Sequence, residues 1–119
     1  MQHMNLLGMH VDHASLRLFA KALFDALEIE DGEERESGNY VDGYYLKGSR
    51  DGMVFVIALS DEVAHEDLPF WIHISASAFE PSALEAVVSQ LVHDKALPAG
   101  FRLAHIVNFG KRGEERIDY

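Results

Sequence analysis

The chain has 119 residues, with 20 Asp and Glu against 10 Lys and Arg, seven His, no Cys and a formal net charge of −10. At this length a single domain is expected, and a hydrophobic fraction of 48% is enough to build its core. The negative charge argues against nucleic-acid binding through phosphates, the lack of Cys removes disulfides, thiolate metal sites and cysteine nucleophiles, and no apolar run approaches the roughly 20 residues of a membrane helix.

Met1-Gln2-His3-Met4 lacks the basic region and small-residue cleavage site of a secretory signal, so a cytoplasmic location is expected. His3-Met4 is also open to reading as a cloning remnant, with Met4 as the native start. Leu6 to Val11 is apolar and reads as a first strand or as the lead-in to a helix. Asp12 is then a natural N-cap, because its carboxylate can accept from the free N–H groups of the first turn. Leu16, Phe19, Ala20, Leu23, Ala26 and Leu27 form one apolar stripe at helical spacing, and Gly32 is the expected stop.

An acidic run follows, containing Glu30, Asp31, Glu33, Glu34 and Glu36. It reads either as a solvated loop or exposed strand edge, or as a surface for a basic partner. Tyr40 to Lys47 has strand composition, Gly48 to Gly52 reads as a turn, and Met53 to Leu59 is apolar on both alternating faces, as in a central strand. The two strands form a hairpin. Ser60 to Leu68 is a second acidic loop with Asp61, Glu62, Glu66 and Asp67. Pro69 opens a strand in which Phe70, Ile72, Ile74 and Ala76 alternate with Trp71, His73 and Ser75. Pro81 suits the first turn of a second helix with Leu84, Val87, Val88, Leu91 and Val92 as its stripe. Phe101 to Phe109 is a strand expected to carry Phe101, Leu103, His105, Val107 and Phe109 on one face. Ile117 to Tyr119 either returns as an edge strand or hangs free. The expected architecture is therefore α+β: a mostly antiparallel sheet of four to five strands with two helices on one face, in the order (β)αβββαβ.

No motif declares a reaction. Gly-x-Gly-x-x-Gly, the P-loop, Gly-x-Ser-x-Gly and His-Glu-x-x-His are all missing, so no cofactor is expected. His10 and His13, three apart, are the weak metal candidates, with His73 and His105 as further histidines in strands; packed or surface histidines are the competing reading. Adjacent carboxylates in loops lack the desolvation that acid–base catalysis requires. Tyr44 and Tyr45 must point to opposite faces of a regular strand, so one of them, together with Trp71, is expected outside the helix-packed face. Such rings are either long side chains covering the sheet or the anchors of an interface rimmed by acids.

The stretches Tyr40-Val41-Asp42-Gly43-Tyr44-Tyr45-Leu46, Gly52 to Leu59 and Leu68-Pro69-Phe70-Trp71-Ile72 carry a resemblance to small acidic bacterial immunity proteins of contact-dependent or secreted toxin systems. The resemblance extends over roughly residues 12 to 110 in size, charge and element order, and transfers no individual residue. It implies a non-enzymatic inhibitor of one cognate toxin domain, often a nuclease with a basic surface. The partner-binding residues expected on this reading are Glu30, Asp31, Glu33, Glu34, Glu36, Asp61, Glu62, Glu66 and Asp67 as the electrostatic surface, with Tyr44, Tyr45 and Trp71 as anchors. The rival readings are a small histidine-dependent metal-binding protein or enzyme, and a homodimeric structural subunit.

Overall fold

The first nine-residue strand, β1 (Gln2–His10), runs through the middle of a seven-stranded sheet rather than leading into a helix. In the computed structural model, which describes residues 1–61, 63–77 and 79–119, β1 is followed by α1 (Leu16–Ala26), β2 (Glu30–Glu36), β3 (Tyr44–Arg50), β4 (Met53–Leu59), β5 (Phe70–Ala76), α2 (Pro81–Leu91), β6 (Phe101–Val107) and β7 (Glu115–Asp118). The sheet order is β2-β3-β4-β5-β1-β6-β7, and every neighbouring pair is antiparallel. The architecture is thus α+β, with more strands than the four to five expected. The acidic run and the C-terminal tail supply the two edge strands.

One core holds the sheet to both helices. Met4 and Leu6 of β1, Met53, Phe55 and Ile57 of β4, Phe70, Ile72 and Ile74 of β5, and Phe101 and Leu103 of β6 face it from the sheet. Leu16, Phe19, Leu23 and Phe24 of α1 and Leu84 and Val88 of α2 face it from the helices. The period-2 and period-3.6 patterns meet here, each element burying its apolar side against the other layer. Gly8 lets α1 and β6 approach: a Cβ there would collide with Leu103 and lie 3.2 Å from both the Phe19 ring and the Arg102 carbonyl. No described helix is long and apolar enough to cross a membrane.

Local boundaries differ from expectation for identifiable reasons. Asp12 does not cap α1, because β1 runs on to His10 and a turn closed by the His13 N–H donating to the His10 carbonyl (3.1 Å) intervenes. Ser15 caps instead, its Oγ accepting from the Leu18 N–H at 3.3 Å. α1 stops before Gly32, with Glu28 in the left-handed region (φ 56°), so Gly32 falls inside β2. Val41–Gly43 is a 3-10 turn, and β3 begins only at Tyr44. The expected five-residue turn shrinks to Asp51-Gly52, both with positive φ (49° and 79°), because two left-handed residues match the twist of a tight hairpin. After α2 the chain widens into a π-turn, Val92–Ala96, with the Leu97 N–H on the Val92 carbonyl. Phe109 does not share a face with Phe101. β6 ends at Val107, Asn108 turns left-handed (φ 55°), and the Phe109 ring crosses to the side of the sheet away from the helices.

That second side carries a smaller cluster of Leu7, Leu68, Ala104 and Ile106, packed against Met9, Trp71 and Phe109. Leu68 and Phe109 close over it from the segment before β5 and from the β6–β7 connection, which are tied together by His65 Nε2 and Glu114 Oε2 at 3.3 Å.

Candidate protein-binding surface

β2 is an unusual strand by composition, since Glu, Asp and Gly are all depleted in sheets. All seven of its residues are exposed. It pairs with β3 on one side only, and its register shifts between Glu30 and Glu33, where Asp31 adopts a left-handed φ of 55°. Pairing sets the direction of each carboxylate. Glu34 and Glu36 lie opposite Leu46 and Tyr44 and face the helix side; Glu30 and Glu33 lie opposite Ser49 and Lys47 and face the other side. Charge along a free edge keeps like edges apart, which disfavours a homodimer joined through β2.

Two of these carboxylates are tied down. Arg17 of α1 holds Glu34 with two bonds, Nε to Oε1 at 2.6 Å and Nη2 to Oε2 at 3.2 Å, and its guanidinium also lies 4.6 Å from the centre of the Tyr44 ring. The Arg17 hydrogen bond holds the Glu34 carboxyl below the usual range. Arg35 pairs with Glu33. Among the described residues, Glu30, Asp31 and Glu36 form no ion pair.

The second acidic segment is organised differently. Asp67 receives Nη1 and Nη2 of Arg116 at 2.8 Å each, with Arg102 at 3.6 Å, and these cations hold its carboxyl down at about 2. The next residue, Leu68, is buried in the smaller cluster. Asp67 therefore joins its loop to β7 rather than offering a free charge. Asp61 and Glu66 are exposed without an ion pair among the described residues, and Glu62 lies outside the described residues.

The aromatic anchors do not form one patch with these acids. Tyr44 faces the helix side beneath Arg17. Tyr45 and Trp71 are half-buried on the opposite side, in a row of rings that runs Tyr45, Tyr40, Trp71, Phe109 with centroid separations of 4.6, 6.1 and 5.8 Å. Leu46 pairs with Ile57 and Ala58 with Trp71, so the small Ala58, fully buried, sits at the level between Tyr45 and Trp71, where the Tyr40 ring fills the space. Successive planes in the row are inclined by 31°, 29° and 5°, so the rings cover one another's faces. The indole Nε1 donates to Asn5 Oδ1 at 2.9 Å. Burial also raises the Tyr40 hydroxyl pKa. Much of this aromatic area is spent inside the protein.

The histidines are likewise engaged. His10 donates from Nε2 to the Ala99 carbonyl at 2.8 Å and accepts at Nδ1 from the Asp12 N–H at 3.1 Å. Both nitrogens are occupied, so His10 and His13, although their rings are 4.6 Å apart, do not offer a pair of free metal ligands. No group of three or more metal-ligating side chains occurs among the described residues. His3 and His73 share a hydrogen bond of 3.1 Å beside Trp71, and burial, followed by the neighbouring His3, lowers the His73 pKa.

Residues that composition did not single out shape the helix side of β2. A cavity of about 410 Å³ lies between α1 and β2 and is lined by Phe24, Ile29 and Leu46. A second, of about 630 Å³, continues past Glu36 to Tyr44. The two share Arg17 and Glu34. The available sequence signal was Gly32, the one residue of β2 without a side chain; a Cβ there would lie 3.0 Å from the Phe24 ring. No family model, curated protein or solved structure matches the chain.

Proposed function

We propose that the protein is an acidic protein-binding module, and most concretely an immunity protein that neutralises a cognate toxin domain with a basic surface in the bacterial cytoplasm. The observation that carries this reading is β2: an edge strand with five exposed carboxylates, three of them in no ion pair among the described residues, on a chain of net charge −10. Exposed charge of one sign steers a basic partner and speeds association more than it adds affinity. The histidine-based reading has less support, since His10 is saturated by internal hydrogen bonds. Growth rescue tests the proposal. The toxin-like domain encoded beside this gene is expressed with and without this chain. Restored growth, lost on reversing the charge of Glu30 and Glu36, supports the reading; toxicity that persists beside well-expressed protein refutes it.

A further inference from the structure

We infer that β2 and the groove between it and α1 receive an extended basic segment of the partner, added to the sheet as an eighth strand. The inference rests on the acidic-binding reading above and specifies how that surface engages its partner. Three features converge on it. First, β2 has a neighbour on one side only, so its outer main-chain groups form an open row able to pair with another strand. Second, the space beside that edge is already hollow: the cavities of about 410 and 630 Å³ run along its helix side and meet at the Arg17–Glu34 pair. An added strand alternates its side chains, so every second one enters this groove. Phe24, Ile29 and Leu46 give it apolar contact there.

Third, the lining selects charge. Arg17 and Lys21 are the cations of the two cavities, against Asp25, Glu34, Glu36 and Asp42. Arg17 is already paired with Glu34. An incoming strand of alternating apolar and basic residues thus sets its apolar side chains against Phe24, Ile29 and Leu46 in the groove and its basic ones on the opposite side of the sheet, toward Glu30 and within the field of the carboxylate rim. Opposite charges across adjacent strands attract and like charges repel, so the edge that repels another copy of this chain accepts a lysine- or arginine-rich segment.

The probe is a synthetic peptide of alternating lysine and valine, matched to the seven residues of β2. Its control has the same composition with a central proline, which cannot complete the ladder. Amide spectra and hydrogen exchange of the full chain are followed during titration. The expected result is shifts confined to β2 and the facing side of α1, with slowed exchange of β2 amides that the proline peptide does not produce. Glu30→Lys with Glu36→Lys should weaken binding about tenfold, and added salt should weaken it in the wild type. Gly32→Leu, which fills the groove against Phe24, should abolish the slowed exchange. Shifts elsewhere, shifts without slowed exchange, or slowed exchange that depends only on protein concentration would overturn the inference, the last indicating a second copy at the edge. If the peptide binds as expected but growth is not rescued, the groove stands and the immunity role falls. If rescue is lost on charge reversal but the peptide does not protect β2, the role stands and strand addition falls.

Discussion

The two acidic segments, β2 and residues 61–67, are similar in composition but end in different physical states. β2 lies at the sheet edge with all its residues exposed, and Glu30, Asp31 and Glu36 form no ion pair among the described residues. In the second segment Asp67 is gripped by Arg116 and followed by buried Leu68 on the helix-free side of the sheet. The lesson is that a carboxylate's role follows its neighbours. Beside a fixed guanidinium it helps to hold a loop; along an open edge it contributes mainly to the field that a partner meets.

The comparison is open to direct attack. The largest expected effect is on the covered segment. Leu68→Ala leaves a cavity beneath the loop and should cost about 2–4 kcal/mol in denaturant unfolding. A cost under about 1 kcal/mol would show that the loop is not anchored there. Next comes association. Reversing Glu30 and Glu36 to Lys should slow binding to a basic partner about tenfold while changing folding stability by no more than about 0.5 kcal/mol, since neither side chain is buried or paired. A large stability loss would mean that β2 contributes to folding as the second segment does.

A smaller effect is expected from Asp67→Asn, and its sign depends on pH. The folded carboxyl is depressed to about 2, from an ordinary value near 3.8. The stability it adds is therefore present above about 4 and disappears as pH falls through about 2. Thermal melting should show the variant below the wild type at neutral pH, with the two curves converging in strong acid. Parallel curves throughout would remove the ion pair from the account. The smallest effect concerns His73. Its folded pKa is lowered, so the unfolded chain takes up the proton more readily and stability declines as pH drops below about 6.5. His73→Gln should flatten that decline; an unchanged slope would assign it to other groups.

Legibility of the fold varied element by element. β4 and β5 were visible because each is a dense apolar or strictly alternating run, and their observed bounds, Met53–Leu59 and Phe70–Ala76, follow that pattern. The helical stripes of α1 and α2 were visible for the same reason. β2 was ambiguous because its residues have weak strand preference; pairing with β3 makes it a strand. Phe109 was placed on the wrong face because a period-2 pattern was carried through Asn108, where the backbone turns left-handed. The candidate site was legible as charge but not as shape. Nothing local showed that Arg17 would meet Glu34, that Tyr40 would stand between Tyr45 and Trp71, or that Phe24, Ile29 and Leu46 would line a groove.

The sequence by itself determined the two-layer α+β plan and the surplus of negative charge, because periodicity and composition are sums over near neighbours. Tertiary structure alone decided which acids stay free, which rings spend their faces on one another and where a sheet edge remains open. Those outcomes depend on pairings between distant parts of the chain. Asp67 with Arg116 and Arg17 with Glu34 are made only when strands and helices dock, and local propensity holds no record of them.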